Sequence, residues 1–303
     1  MSDWIIERGI GETRAARLDA SGAILEARVR RDGVTPAGTI LDAKLLAIAP
    51  RVTVEANGEQ FLLPRGASGI SEGATIRIRV TREAIGTEPW KRALAVQTDE
   101  EPTDPPPLAE GVESVIHGWD ELLEEARTGL VDFDGGQLRI EPTAAMTMID
   151  VDGWLVPDKL AQMAAWAAAT AIRRLDLGGA IGVDFPSLEG KAARQEIGAI
   201  LDDYLPGGCE RTQMNGYGFV QIVRPKTRAS LVDLATDRAA FEARALLRRA
   251  SSHVGAAALH AHPAVIAALD ARPGWIDALS RRTGGGVTLK GDAGLAMSGG
   301  YAG

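Results

Sequence analysis

The sequence contains a single cysteine, Cys209, and only four histidines among its 303 residues. One cysteine excludes a disulfide within the chain and a cysteine-rich site, so no structural zinc is expected. None of the apolar runs reaches the roughly 18 residues that a membrane span needs, and the N-terminus lacks the apolar core of a secretory signal. These absences predict a cytoplasmic protein with no membrane partner.

Charge is unevenly distributed along the chain. The net charge is −8, but residues 28–92 carry 11 basic against 7 acidic side chains, and residues 226–282 carry 9 against 5. The stretch between, 99–150, has 14 acidic and only 2 basic residues. An acidic total therefore does not exclude nucleic-acid binding, because a basic face can still form locally.

An acidic, proline-rich segment at 98–107, TDEEPTDPPP, is predicted to be an extended linker. Before it, residues 38–97 contain five short strand-like runs with turns such as Asn57-Gly58, the rhythm of an OB-type barrel. Such barrels bind single strands through a stacking aromatic and a basic groove. Phe61 and Trp90 are the aromatic residues of this segment, and a core position for Phe61 is the alternative.

After the linker the pattern predicts a helix over 112–128 and a three-strand meander ending at Asp152. A helix from Asp158 to 176, a strand over 180–185 and a helix from Ser187 to about 204 follow. Strand, helix, strand and helix with short connections form a βαβα unit, whose two strands lie parallel in one sheet. Near the C-terminus, the glycines at 284–286 are predicted to form a turn.

Three aspartates fall at the ends of these two strands. Asp150 and Asp152 share a face of the first strand, and Asp184 interrupts the apolar run of the second. Converging carboxylates repel one another, and a divalent cation relieves that repulsion. Oxygen ligands without cysteine or suitable histidine favour magnesium, or manganese, over zinc. Capping of the following helices by these aspartates is the alternative reading.

The runs MTMIDVDG (146–153), AIRRLDLGGAIGVDF (171–185) and ERTQMNGYGFVQIVRPK (210–226) resemble the catalytic core of the ribonuclease E/G family. The resemblance implies that Asp150 and Asp184 are the catalytic residues and bind the catalytic magnesium. The family has an asparagine that orients the first aspartate, and Asp152 stands at that position. Asp152 is therefore expected either as a third ligand or as a residue that orients the first aspartate.

The resemblance also implies an α/β (mixed α+β) fold. Its expected parts are an RNase H-like piece (1–37), an inserted OB-type RNA-binding barrel (38–97), the linker (98–107), a βαβα catalytic core (108–230) and a small C-terminal α/β domain (231–303).

The implied activity is a magnesium-dependent endoribonuclease that cleaves single-stranded RNA and leaves a 5′-phosphate and a 3′-hydroxyl. Phe61 is expected to stack on a base. Contacts to the RNA backbone are expected from Lys191, Arg194, Arg224 and Lys226, although a solvated helix face explains basic residues equally well.

The sequence departs from the family at several positions. The loop after Asp152 is short, Gly216 and Gln221 replace a basic residue and a glutamate, and the region before the meander is too small for a sensor of RNA 5′ ends. The cysteine pair that links family dimers through zinc is absent, so an oligomer is open but not one linked by zinc. Two alternatives remain: an RNA-binding protein that has lost catalysis, and a phosphohydrolase acting on small phosphates.

Overall fold

The computed structural model describes residues 4–86, 88 and 91–303, so Trp90 lies outside the described residues. The fold is mixed α/β and includes a closed five-stranded barrel, which confirms the predicted fold class. The strands are β1 (Trp4–Arg8), β2 (Glu12–Leu18), β3 (Ile24–Arg31), β4 (Ile40–Ala47), β5 (Thr53–Ala56), β6 (Glu59–Leu62), β7 (Thr75–Arg82), β8 (Ala93–Gln97), β9 (Gly111–Glu113), β10 (Leu130–Phe133), β11 (Gly136–Pro142), β12 (Thr147–Gly153), β13 (Gly179–Asp184), β14 (Glu210–Arg211), β15 (Phe219–Arg224), β16 (Gly255–Ala261), β17 (Gly284–Gly291) and β18 (Tyr301–Ala302). The helices are α1 (Trp119–Thr128), α2 (Pro157–Arg174), α3 (Lys191–Tyr204), α4 (Leu231–Thr236), α5 (Arg238–Ala250), α6 (Pro263–Asp270) and α7 (Pro273–Thr283).

The first three strands form a sheet that is completed after the barrel. Its order is β3-β2-β1-β9, with β9 parallel to β1. The prediction of one helix over 112–128 was therefore partly wrong, because 111–113 form a strand and α1 begins only at Trp119. Gly118, with a φ of 75°, precedes the helix and sets this boundary.

The barrel formed by β4 to β8 closes in the order β4-β5-β6-β8-β7, in the region where the sequence predicts an OB-type barrel. Alternation along each strand sends one set of side chains into its interior. That interior is a separate apolar cluster built around Leu45, Val54, Phe61, Ile78 and Val80.

The central sheet has six strands in the order β10-β11-β12-β13-β15-β14. The meander β10–β12 and the parallel pairing of β12 with β13 were both predicted, and the pairing confirms them. One face of the sheet is apolar and packs on α2, whose buried side includes seven alanines. Alanine is a strong helix former and has a small side chain, so this helix fits between the central sheet and β3. The opposite face of the central sheet carries the polar side chains of Arg139, Asp150 and Asp184 together with Met148 and Phe219.

The helix after β13 begins later than predicted. It starts at Lys191 instead of Ser187. Pro186 favours an extended conformation for Phe185 before it, and Gly190 adopts a φ of 82°, outside the helical range. The chain thus runs as a loop from Asp184 to Gly190 along the edge of the sheet.

The C-terminal sheet, in the order β17-β16-β18, packs against α5, α6 and α7. The predicted turn at 284–286 was wrong, since these glycines begin β17. A methyl group at Gly285 would lie 2.2 Å from the Ala256 nitrogen, so glycine permits the close approach of β16 and β17. Among the described residues, no helix has both the length and the apolar character needed to cross a bilayer.

Candidate active site

Asp150 and Asp184 are neighbours in the two middle strands of the central sheet, at the carboxyl-terminal end of the pairing between β12 and β13. They are register partners in the parallel strands β12 and β13, so they project from the same face. Ile149 and Val183 precede them and are fully buried on the opposite face, while both aspartates are exposed. The alternation of apolar and acidic residues therefore orients the two carboxylates, and the parallel register brings their backbones to about 4.8 Å, the spacing of adjacent strands.

Asp152 lies two residues further along β12 and is also exposed. It shares the face of Asp150 at a distance of about 7 Å along the strand. In the part of the chain that the structure describes, no three histidine, cysteine, aspartate or glutamate side chains form a group able to hold a metal ion. The role of Asp152, as a third ligand or as a group that orients the other two aspartates, stays a prediction.

Arg139 faces Asp150 across the antiparallel pair β11–β12. Its side chain is exposed and makes no ion pair with any described residue. Gln137 stands in the same relation to Asp152. The open face therefore carries a row of Arg139, Asp150 and Asp184 on three neighbouring strands, and this places one guanidinium beside the carboxylates.

The sequence interpretation missed Arg139, although the signal was present. The meander was predicted, and a short connection at 143–146 between its second and third strands fixes which residues face one another.

Phe219 completes this row on the other side of Asp184, because the two are register partners between β13 and β15. Gly182 is the next residue on the same face of β13. A methyl group there would lie 2.7 Å from Phe219 Cζ and 3.0 Å from Met146 Sδ. The glycine therefore leaves room for the aromatic ring to lie over β13 beside the carboxylates.

A tight turn before β15 is fixed against the end of β13. The Asn215 Oδ1 accepts hydrogen bonds from the amides of Tyr217 (2.9 Å) and Phe219 (3.1 Å). The Phe185 amide donates to the Gly218 carbonyl at 3.2 Å. Gly218 has a φ of 95°, and a methyl group there would lie 2.1 Å from the Phe185 carbonyl oxygen, so this position requires glycine. The turn holds the backbone of Tyr217 next to the residue that follows Asp184.

Two of the predicted phosphate contacts lie on α3, which follows the loop after Asp184. Lys191 is its first residue and is exposed. Arg194 is half-buried, and its Nη1 donates to the Leu188 carbonyl at 2.9 Å. Lys191 is thus available to a ligand at this edge, whereas Arg194 mainly ties the loop to the helix.

Arg224 and Lys226, also predicted to contact RNA, lie elsewhere. Arg224 pairs in register with Gly179 at the start of β13, five residues before Asp184 and therefore about 16 Å along the strand. Its guanidinium lies 2.9 Å from Asp176, and the Lys226 Nζ lies 2.8 Å from Asp233. Both cations therefore neutralise carboxylates at the other end of the strands, away from the aspartate pair, and their contact with RNA stays a prediction.

Phe61 was predicted to stack on an RNA base, and this was wrong. Its side chain has 0% exposure in the barrel interior, where no ligand can reach the ring. The pattern that predicted a strand could not distinguish its inner face from its outer face at this residue, since Phe61 and Leu62 are both apolar. Trp90, the other aromatic residue considered, lies outside the described residues.

Cys209 is the remaining candidate nucleophile in the sequence. Burial raises the pKa of its thiol, against smaller opposing effects from Arg224 and Arg173. A thiol with a raised pKa is less often the reactive thiolate. Cys209 is therefore a poor candidate for a catalytic nucleophile.

Comparison with models of protein families identifies a match in the central part of the chain. Residues 116–227 match the model of the Ribonuclease E/G family, more than a third of the chain and the part that contains β10 to β15. A search of curated proteins finds no match. The family indicates a ribonuclease, a hydrolase that acts on RNA. The matched segment includes Asp150, Asp184 and Arg139, so this part of the chain is similar to the ribonuclease E/G family.

Proposed function

We propose that the chain is an endoribonuclease that hydrolyses phosphodiester bonds in single-stranded RNA and requires magnesium, or manganese in its place. The observation that carries the proposal is the register pairing of Asp150 with Asp184 at an exposed sheet edge inside the family segment. The carboxyl ends of parallel strands are where α/β sheets commonly bind their ligands.

The aspartate pair fits a hard divalent cation. Two carboxylates side by side are unfavourable without a positive partner, and oxygen donors suit magnesium and manganese. Magnesium usually keeps several waters and takes one or two protein carboxylates, so Asp150 and Asp184 are sufficient to hold it. When bound, the ion supplies charge neutralisation at the phosphate and lowers the pKa of water.

The side chains around the pair have distinct proposed roles. Asp150 and Asp184 hold the cation, and Asp152 orients groups beside it. Arg139 donates hydrogen bonds to a non-bridging oxygen of the scissile phosphate, which its planar guanidinium suits well. Water forms the new bond to phosphorus, the bond from phosphorus to O3′ breaks, and O3′ takes up a proton. The products are a 5′-phosphate and a 3′-hydroxyl.

The test is cleavage of a labelled, unstructured RNA by purified protein, with magnesium or with a chelator in its place. The proposal expects internal cleavage that needs magnesium and is lost in Asp184→Asn. A matched control is Asp203→Asn, since Asp203 is also exposed but lies at the far end of α3. Cleavage by Asp184→Asn at the wild-type rate would contradict the proposal.

A second candidate is an RNA-binding protein that has lost catalysis. It is favoured by Asp152 at the position of the family's asparagine and by the absence of a three-ligand group among the described residues. It expects RNA to bind with a steep dependence on salt, and it expects no magnesium-dependent product even at high protein concentration. The same cleavage assay, combined with filter binding, separates the two candidates.

A further inference from the structure

Two large aromatic side chains, one four residues beyond Asp150 and the other two residues before Phe219, stand almost fully in solvent. Trp154 is 79% exposed and Tyr217 is 85% exposed. Burial of such a ring would stabilise the fold, so neither is placed there to build the core. Each lies close to the end of a strand that contributes to the row of Arg139, Asp150, Asp184 and Phe219. Trp154 comes directly after β12, and Tyr217 comes two residues before Phe219, the first residue of β15.

The backbone under Trp154 is well fixed. Its amide donates to the Gly135 carbonyl at 3.2 Å, which continues the β11–β12 register by one step beyond Gly153. Leu155 packs over Gly135, where a methyl group would lie 2.1 Å from its Cδ1. The neighbouring residue thus anchors the loop, and Trp154 projects from a rigid base at the C-terminal edge of β12.

The backbone under Tyr217 is equally constrained. Its amide donates to Asn215 Oδ1, and its carbonyl accepts from the Ser187 Oγ at 3.2 Å. Both ends of the turn are therefore tied to β15 and to the loop after Asp184. As with Trp154, only the side chain is free to meet a ligand, so little conformational entropy is lost when it does so.

The sheet order places the backbones of these two residues on opposite sides of the strand that carries Asp184. β13 lies between β12 and β15, so the two backbones are separated by about 10 Å across the sheet, two strand spacings, and are offset along the strands by about two residues, or 7 Å. Arg139, whose guanidinium has no ion-pair partner among the described residues, and Lys191 supply positive charge for a phosphate backbone near the same ends of the strands. Aromatic side chains beside a positively charged groove provide surfaces on which successive unpaired nucleobases can stack.

We propose that Trp154 and Tyr217 stack on the two nucleobases that flank the scissile phosphate, and that they select single-stranded over duplex RNA. The inference rests on the proposed function for the position of the phosphate. In a duplex the base faces are already covered by their neighbours, so the rings gain contact only with unpaired bases. Stacking tolerates every base, so these residues give strand selectivity without strong sequence preference.

The test is the affinity of a short fluorescein-labelled, unstructured RNA, measured by anisotropy in the Asp184→Asn background so that the probe stays intact. Trp154→Ala and Tyr217→Ala should each weaken binding roughly five- to hundred-fold. Trp154→Phe and Tyr217→Phe, which keep a ring, should recover most of the affinity. Neither alanine variant should alter the slope of log affinity against log salt, because no charge is removed. The control is Tyr204→Ala, a 45% exposed aromatic at the distal end of α3.

Abasic substitution identifies the contacted bases. Removing one base at a time from the probe should weaken wild-type binding at two neighbouring positions, and each alanine variant should lose sensitivity at one of them. Affinities that stay unchanged in both alanine variants, with cleavage by the parent protein intact, overturn the stacking proposal alone. Weakened binding by these variants in a protein that never cleaves overturns the nuclease and keeps the stacking. A drop in apparent mass caused by Trp154→Ala, with RNA affinity unchanged, assigns the surface to a second copy of the chain and overturns it as well.

Discussion

Asp150 and Asp184 occupy directly paired positions on two parallel strands, and neither side chain is buried. Like charges in such a cross-strand pair oppose folding by about 0.2–1 kcal/mol. Asp150→Asn or Asp184→Asn should therefore leave the free energy of unfolding unchanged or raise it by a few tenths of a kcal/mol. Urea denaturation of the two variants measures this. A loss of more than about 1 kcal/mol would assign the carboxylate to the fold, and loss of cleavage could then not be ascribed to chemistry.

Arg139 is the register partner of Asp150 on β11. Its substitution by glutamine or by lysine separates the effect of its positive charge from that of its planar, two-pronged hydrogen bonding. Arg139→Gln should lower kcat/KM for RNA cleavage about 10- to 100-fold, because a charge-assisted hydrogen bond to the phosphate is lost. Arg139→Lys should recover only part of the activity, since an ammonium cannot donate in a bidentate manner. Steady-state kinetics on the same unstructured RNA measure both. Arg281→Gln, an exposed arginine in the last turn of α7, is the control, and equal rates for Arg139→Gln and this control would contradict the assignment.

Phe61 gives a prediction of the opposite kind, because it belongs to the barrel core. Phe61→Ala removes a ring with 0% exposure and should lower the stability of the barrel by about 3–5 kcal/mol. Phe61→Leu keeps most of the volume and should cost less. Thermal or urea unfolding followed by circular dichroism detects the change. A Phe61→Ala variant of wild-type stability that had lost RNA affinity would restore the stacking role.

The sequence predicted those features of the site that depend on strand register and alternation. The run ending at Asp150, the helix α2 and the run ending at Asp184 form a βαβ unit, and its connections are too short for anything except adjacent parallel strands. Once those strands are adjacent, period-two alternation fixes the shared face of the two aspartates. The closed barrel followed similarly from short strands and turn residues.

The remaining misses have a common physical origin, which is that a basic or aromatic residue has several uses. Arg224 and Arg139 are indistinguishable by residue type, yet one pairs with Asp176 and the other has no described ion-pair partner. Phe61 and Tyr217 both lie near strand ends, yet one is buried and the other is 85% exposed. Such differences depend on partners that are distant in sequence, and local patterns do not contain them.

Glu7 joins the first sheet to the C-terminal region through an ionic network. Its Oε1 accepts from Arg14 Nη1 (2.8 Å) and Arg248 Nε (2.9 Å), and its Oε2 accepts from the Ile116 amide (2.9 Å). Burial alone would raise the pKa of Glu7, but the Ile116 hydrogen bond and the two arginines outweigh it, so the pKa lies below its ordinary value of 4.5. The charged form of Glu7 is thus the one that the folded protein favours.

Glu7→Gln should therefore destabilise the protein by about 2–3 kcal/mol at neutral pH, because it leaves the buried Arg14 without part of its compensation. A carboxylate with a lowered pKa contributes stability that is fully present above the unfolded value of 4.5 and is lost as the pH falls through the folded pKa. The difference between wild type and Glu7→Gln should accordingly be constant above about pH 5.5 and shrink below pH 4.5, the ordinary pKa of the group. Urea denaturation across this pH range measures this difference.

Glu113→Gln is the control, since Glu113 pairs with Arg8 while both side chains are more than 60% exposed, and such a pair contributes little at any pH. A gap between wild type and Glu7→Gln that persists undiminished at pH values well below 4.5 would show that Glu7 stabilises the fold by packing and not by its charge.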